Sequence, residues 1–353
     1  MNESLPTIVL GATGYVAGEL LRLIAGHPSL QLAAAVSASE AGNKIDAVFP
    51  HLHGHYRDLC FVPRESLAAT IETLEQVAVF SAAPHGASAA MVNDVLALAE
   101  AAGTTMRVAD LSADFRFASA QAYRAVYTQE HGAPQRLEEF SCGLPEHIST
   151  LTTRHIGHPG CFCTAVLLLA VPMIQSGLST GDIYLSGVTG STGSGKLPIA
   201  TTHHPFRQSN LFAYKPLQHR HQPEMEAIIR AVTGTDAKLH FVPHSGPFAR
   251  GIHVTAQGRL AQNASEQQVV ERLSAFYESA PFVCVVDQPP RVKDVVGSNY
   301  ARIGVATRGD HFAAMIVIDN LVKGAAGGAV QWMNRLWGMP ETAGLTASAV
   351  GWT

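Results

Sequence analysis

Short apolar runs separated by helix-forming stretches set the rhythm of the first part of the chain. Thr7–Leu10, Leu32–Val36, Val77–Ser81 and Thr105–Asp110 are of strand length and largely apolar, as expected for strands covered on both faces. Helical stretches follow at Glu19–Ile24 and up to Ala102. This alternation predicts an α/β region built on a doubly wound parallel sheet, with ligands at the carboxyl ends of the strands. Beyond residue 160 the texture changes. An apolar helix begins near Cys161, and longer strands follow at Asp182–Thr189, around 239–242, 251–257 and 283–286, and in a hairpin of 301–306 with 312–318. Helices near Pro223–Ala231 and Glu266–Tyr277 intervene, which predicts a second, α+β domain with a mostly antiparallel or mixed sheet. Lys323–Asn334 reads as one more helix despite its glycines, whose small size permits a close approach.

The first strand ends in Gly11-Ala12-Thr13-Gly14-Tyr15-Val16-Ala17-Gly18, directly before a helix. Gly11 suits a tight turn, Gly14 lets backbone approach a pyrophosphate, and Ala17 or Gly18 permits close helix–strand packing. The spacing is G-x-x-G-x-x-A, so its place between strand and helix carries the dinucleotide reading, with Gly11, Thr13, Gly14, Tyr15 and Val16 as cofactor-binding candidates. The second strand ends in Ser37-Ala38-Ser39, where an NAD enzyme places an acid for the ribose hydroxyl. Ser37 and Ser39 leave room for a 2′-phosphate and favour NADP; the alternative is that Glu40 folds back into the acidic role.

Composition narrows the class. The 353 residues are 47% hydrophobic and 15% charged, with a net charge of −4, so neither nucleic acid nor an anionic membrane is an electrostatic partner. No apolar run reaches the ~20 residues of a membrane span, and the N-terminus lacks the features of a secretory signal. Five scattered cysteines do not form a disulfide framework and fit a reducing cytoplasm.

The chemistry centres on His155-Ile156-Gly157-His158-Pro159-Gly160-Cys161-Phe162-Cys163. A Pro-Gly turn opening into a helix puts Cys161 at a helix N-terminus, where unpaired amides and the dipole favour a thiolate and can receive an oxyanion. Cys161 is therefore the candidate nucleophile, and Cys163 reads as a small core residue. The His and Cys types in this run also invite a metal, but structural zinc spacing is lacking and no metal is expected. Three histidines at 51, 53 and 55 sit among loop-forming residues and read as solvated. Arg116, in Ser112-Ala113-Asp114-Phe115-Arg116, either holds a phosphate or carboxylate or pairs with Asp114. Gly190-Ser191-Thr192-Gly193-Ser194-Gly195-Lys196 lacks Walker-A spacing and reads either as an anion-meeting loop, with Ser191 and Lys196 at the substrate, or as a flexible surface loop. His219 and His221, at a helix start, are the candidates for proton transfer, and the sequence leaves open which of them acts.

A nicotinamide cofactor, a cysteine nucleophile and a nearby histidine form the kit for reductive cleavage of an acyl phosphate. The chain resembles the N-acetyl-gamma-glutamyl-phosphate reductase family, within the aspartate-semialdehyde dehydrogenase-like group, along nearly its whole length. The resemblance rests on Gly11-Ala12-Thr13-Gly14-Tyr15, residues 112–116, Gly143-Leu144-Pro145-Glu146, His158-Pro159-Gly160-Cys161, His219-Arg220-His221-Gln222-Pro223-Glu224 and Lys323-Gly324-Ala325-Ala326-Gly327. It implies an NADP-dependent enzyme of arginine biosynthesis with Cys161 as nucleophile and His219 as acid/base or positioning residue. It further implies that Asn320 stands near the nicotinamide and that the enzyme is a homodimer or homotetramer. Residues 1–157 with 320–353 are then the NADP-binding domain, and 158–319 the catalytic and oligomerisation domain. The chain departs from the family at Ala17, where Gly is frequent, at Cys142 and Phe162, where Tyr is usual, and at Cys163, where Pro is usual. Reductases of aspartyl phosphate or of carrier-bound aminoadipyl phosphate, and a non-catalytic NADP-binding sensor, are the competing readings.

Overall fold

The apolar runs of the first region form β1 (Leu5–Leu10), β2 (Leu30–Val36), β3 (Gln76–Ser81) and β4 (Thr105–Asp110), joined by the short β5 (Phe140–Cys142) and β6 (His155–Gly157). They make one sheet in the order β2-β1-β3-β4-β6-β5, with every neighbouring pair parallel. The computed structural model describes residues 4–261 and 264–351. Helices α1 (Tyr15–Ala25), α2 (Ser88–Ala102) and α3 (Ala120–Tyr127) belong to the same unit. Ile8, Leu10, Val77, Val79 and Val108 lie fully buried with Val92 and Val95 of α2. Apolar area removed from water on both sheet faces is the main stabilising term here.

This unit comprises the chain up to Gly143, then Thr150–His158 and Ala326–Thr346. Its C-terminal helix, Gly327–Leu336, packs on β4 and α1. Trp332 is fully buried there and donates from Nε1 to the carbonyl of Gly143 at 2.9 Å. Gly18 meets the Phe49 ring, its Cβ position falling 2.8 Å from Cε1, so its small size serves a side chain rather than a strand. The 51–55 histidines lie in short helical turns, Pro50–Leu52 and His53–Tyr56, not in the expected loop, and His53 Nδ1 is 2.6 Å from an Asp46 carboxylate oxygen.

The second unit holds Leu144–Ser149, Pro159–Ala325 and the chain from Ala347 onward. Its sheet consists of β7 (Ser179–Thr189), β8 (Phe212–Ala213), β9 (Leu239–Ser245), β10 (Ile252–Leu260), β11 (Val283–Val285), β12 (Ala301–Arg308) and β13 (His311–Ile318). The order is β11-β12-β13-β10-β7-β9-β8; β11–β12 and β7–β9 run parallel and the other neighbours antiparallel, so the sheet is mixed. Helix α4 (Cys161–Gln175) packs on β10 and β13, α5 (His221–Thr233) on α4, and α6 (Glu266–Phe276) on β12.

The chain leaves this unit six residues later than the expected boundary at 320. Asp319 is the reason: its carboxylate accepts from the amides of Leu321, Val322 and Gly297 at 2.7–3.0 Å and from Arg250. The Gly324 amide reaches back five residues to the Asp319 carbonyl at 2.9 Å, so Val322–Ala326 is a π-turn and the expected helix of 323–334 begins as α only at Gly327. Residues 144–149 likewise lie in the second unit rather than the first.

At the end of β6, a Cβ on Gly157 would fall 2.1 Å from the Phe115 carbonyl oxygen. The obstacle is backbone and cannot rotate away. Gly157→Ala is therefore expected to destabilise the protein by roughly 1–3 kcal/mol or more, read as a lower urea midpoint at unchanged m-value.

Candidate active site

Helix α4 opens at Cys161, with Gly160 as its N-cap in extended geometry. The amide of Gly160 donates to Oε1 of Glu224 at 2.7 Å, and Glu224 is fully buried. Glu224 lies in the first turn of α5, so one carboxylate ties the two helix starts together. The same helix start supplies His221, which stands against the turn: a Cβ on Gly160 would lie 2.4 Å from His221 Nε2. On another side Gly324 closes in, its Cβ position 2.8 Å from Cys161 Cβ. The first residue of α4 is thus approached by glycine backbone on two sides, and Cys161 keeps partial exposure while Cys163 is buried.

His219 has a different setting. It is 8% exposed, and its ring centroid lies 4.7–6.0 Å from those of His221, Tyr214, Phe241 and Phe162. Its Nδ1 accepts the His221 amide at 3.2 Å. Burial pushes His219 down to about 4, and the neighbouring charges of Arg220 and Lys215 act in the same direction. A ring held neutral among aromatic side chains is suited to positioning, one of the two roles that the resemblance implied for His219. Tyr214 is raised by burial, then by the negative charge of Cys161, while Arg220 and Arg207 oppose the rise. These groups therefore share one electrostatic neighbourhood.

Three other expected residues have partners that the sequence does not show. Arg116 is buried, and its guanidinium donates to the carbonyls of His158 and Leu111, both at 2.8 Å. Asp114 accepts from the Gly86 and Ala89 amides and the Tyr123 hydroxyl. Arg116 thus braces the strand end that leads through Pro159 into Cys161. In the 190–196 loop, the amides of Ser191, Thr192, Gly193 and Gly195 donate to the carbonyls of Phe248, Ala249, Gly190 and Thr192. Those amides are already used, so they do not form the expected anion cradle; Ser191 is half-buried and Lys196 exposed. Asn320 accepts the Gly251 amide at 2.7 Å and donates to Thr192 Oγ1 at 2.9 Å. Both ends of its side chain fasten the second unit internally.

The dinucleotide turn keeps its expected form. Gly11 has φ +67° and its Cβ would lie 2.6 Å from Ala83 Cα, so only glycine fits. Gly14 caps α1, with open space where a Cβ would be, followed by Tyr15 and Val16 in the first turn. Thr13 donates its amide to the Gly11 carbonyl. Beyond β2, Ser37 Oγ is 3.4 Å from Ser39 Oγ and accepts the Glu40 amide, while the Glu40 carboxylate is taken by Asn43 Nδ2 at 2.9 Å. Glu40 is therefore engaged away from the acidic role, and an open helix N-terminus beside two hydroxyls fits a phosphorylated dinucleotide.

A further ion pair was not legible as such. Lys323 Nζ lies 2.5 Å from Glu146 Oε1, with side chains 1% and 0% exposed. Breaking one side of such a pair alone costs about 3–5 kcal/mol. It secures the π-turn whose next residue is Gly324. Both residues occur in the family motifs, but no spacing rule joins positions so far apart.

Nucleotide turn, helix-start cysteine and mixed second sheet define a class, and comparison with known proteins agrees. Residues 7–152 match the semialdehyde dehydrogenase, NAD binding domain, and 161–320 the semialdehyde dehydrogenase, dimerisation domain. Aspartate semialdehyde dehydrogenase II from Vibrio cholerae, complexed with ASA, superposes with a TM-score of 0.68 at 14% identity, covering 95% of this chain and 98% of that one. The enzyme from Candida albicans with NADP gives 0.61 at 17%, covering 93% and 97%. At such identities the likeness is one of fold. Among curated relatives, N-acetyl-gamma-glutamyl-phosphate reductase of Acidithiobacillus ferrooxidans is 39% identical over 97% of this chain and 98% of its own. That of Pseudomonas aeruginosa is 38% identical over 97% and 98%, and that of Methanopyrus kandleri 38% over 96% of each. The chain belongs to the N-acetyl-gamma-glutamyl-phosphate reductase family.

Two outcomes are expected from this geometry. Cys161, though less exposed than Cys60 and Cys284, is alkylated first by iodoacetamide below pH 8; peptide mapping showing equal labelling would remove the activated-thiolate argument. His219 titrates near 6.5 when unfolded and about 4 when folded, so between those values the unfolded chain binds the extra proton. Its contribution is intact above pH 6.5 and lost as pH falls towards 4. Asp110, pushed up to about 6 by burial, acts in the opposite sense. Comparing His219→Gln with wild type isolates the histidine, and the variant's stability falls less steeply from pH 6.5 to 4.

Proposed function

We propose that the protein reduces N-acetyl-L-glutamyl 5-phosphate to N-acetyl-L-glutamate 5-semialdehyde and phosphate, with NADPH, as a step of arginine biosynthesis. The observation carrying this reading is Cys161 at the start of α4, with His221 against the same turn. The Cys161 sulfur attacks the acyl carbon, the bond to the phosphate oxygen breaks, and a thioester forms. First-turn amides of α4 face the oxyanion that develops. Gly11, Gly14 and the Ser37–Ser39 pair would hold NADPH, which when bound supplies the hydride. His221 gives a proton to the oxyanion and takes it back as the thiohemiacetal releases the aldehyde. Glu224 and His219 hold the two helix starts so that sulfur and imidazole keep their positions.

The activity for which the relatives are named supports the N-acetylglutamyl substrate, and the match to a dimerisation domain supports a homodimer or homotetramer. The outward residues of β7 fit a covered surface, with Tyr184 56% exposed and stacked on His240 at 4.8 Å. Five free thiols support a reducing, cytoplasmic setting. No helix among the described residues is long and apolar enough to cross a membrane.

The test runs the reaction backwards: phosphate-dependent NADP reduction with N-acetylglutamate, aspartate and aminoadipate semialdehydes. Activity with the N-acetylglutamate compound is expected, abolished in Cys161→Ser. His221→Asn is expected to lower kcat by roughly 100- to 10,000-fold, and more than His219→Asn does. Activity with the aspartate compound alone, or with none, overturns the substrate assignment.

A further inference from the structure

The stretch from Ile183 to Pro223 contains Lys196, Arg207, Lys215 and Arg220 but no Asp or Glu. Most of its cations reach solvent. Arg207 does not: it lies in the short helix His204–Arg207 and is 9% exposed. Its guanidinium donates to Ser245 Oγ and to the carbonyls of Gly246 and Phe248. All three acceptors are uncharged, and its buried Nε has no partner. Among the described residues no carboxylate forms an ion pair with Arg207. Buried arginines are ordinarily paired with an anion, and an unmet buried donor calls for an acceptor from outside the chain. Burial lowers the Arg207 pKa, the sign of a charge short of compensation. Tyr214 lies between this guanidinium and the helix start: its amide donates to the Pro243 carbonyl at 3.0 Å, two residues before the Arg207 acceptor Ser245, and its ring centroid is 5.6 Å from that of His219.

We propose that Arg207 is a substrate-recognition residue whose guanidinium receives an anionic oxygen group of the ligand bound at Cys161. The group is the phosphoryl oxygens or the carboxylate of the amino-acid portion, which present the same paired-oxygen chemistry to a planar fork. The inference rests on the acyl-phosphate reading above and deepens it. Arg207 differs from Arg116 at Nε, which in Arg116 donates to the His158 carbonyl and in Arg207 is buried without an acceptor.

The test uses the full-length enzyme in the oxidising direction, with KM measured separately for inorganic phosphate and for N-acetylglutamate semialdehyde in wild type, Arg207→Gln and Arg207→Lys. Loss of a charge-assisted pair raises one KM roughly 10- to 100-fold in Arg207→Gln, with a smaller fall in kcat. A rise for phosphate assigns the phosphoryl group, and a rise for the aldehyde assigns the carboxylate. Arg207→Lys keeps the charge but loses the fork and recovers part of the effect. Both KM values unchanged in either variant overturns the assignment, as does a loss confined to kcat. Thermal unfolding with inorganic phosphate or N-acetylglutamate serves if Arg207→Gln does not fold, or if the wild type oxidises none of the aldehydes and so fails the proposed function alone. An upshift with either anion in wild type that is smaller or absent in Arg207→Lys supports the site; no upshift in wild type, or an upshift in Arg207→Lys as large as in wild type, overturns it.

Discussion

A single amide donating to a buried carboxylate holds the chemistry together: Gly160 N–H on Glu224. The N-cap residue of α4 offers one of the donors that no helix can satisfy internally, and here the partner comes from the first turn of another helix. The bond fixes where Cys161 begins its turn and, through the shared helix start, where His221 stands. An apolar residue in place of Glu224 would leave the Gly160 amide buried without an acceptor.

Close approach is the second constraint, and it follows from the first. Gly157, Gly160 and Gly324 each lie where a Cβ would meet a carbonyl oxygen, an imidazole or the Cys161 side chain within 2.1–2.8 Å. None of the three has the positive φ that usually marks an obligatory glycine. Their role is to let separate segments of the same unit approach one another closely. The Asp319 hub and the Lys323–Glu146 pair then hold the π-turn that brings Gly324 to the sulfur, and π-turns of this kind recur at functional sites.

The elements were legible where local rules apply. Continuous apolar runs located the parallel strands, and the Pro-Gly turn before an apolar run located α4 with its cysteine at the first position. The turn at Gly11 and Gly14 was legible because φ, steric room and helix start act within a few residues. Residues whose role depends on a distant partner were not. For Arg116 the sequence offers Asp114 or an anion, and gives no sign of the His158 and Leu111 carbonyls that the fold brings to it. The 190–196 glycines looked like a cradle because sequence does not record that segment 248–251 already occupies their amides. Asn320 sits close to a motif associated with the cofactor, yet its amide is used within the second unit.

By itself, then, the sequence determined the strand–helix alternation, the nucleotide turn and the helix-start position of Cys161, because each depends on neighbours a few residues apart. Tertiary structure alone decided which histidine stands against the cysteine turn, which carboxylate caps it, and which arginines are braces and which is left without a counter-charge. Those outcomes depend on contacts between segments far apart in the chain, where burial and hydrogen-bond satisfaction, not local propensity, select the partner.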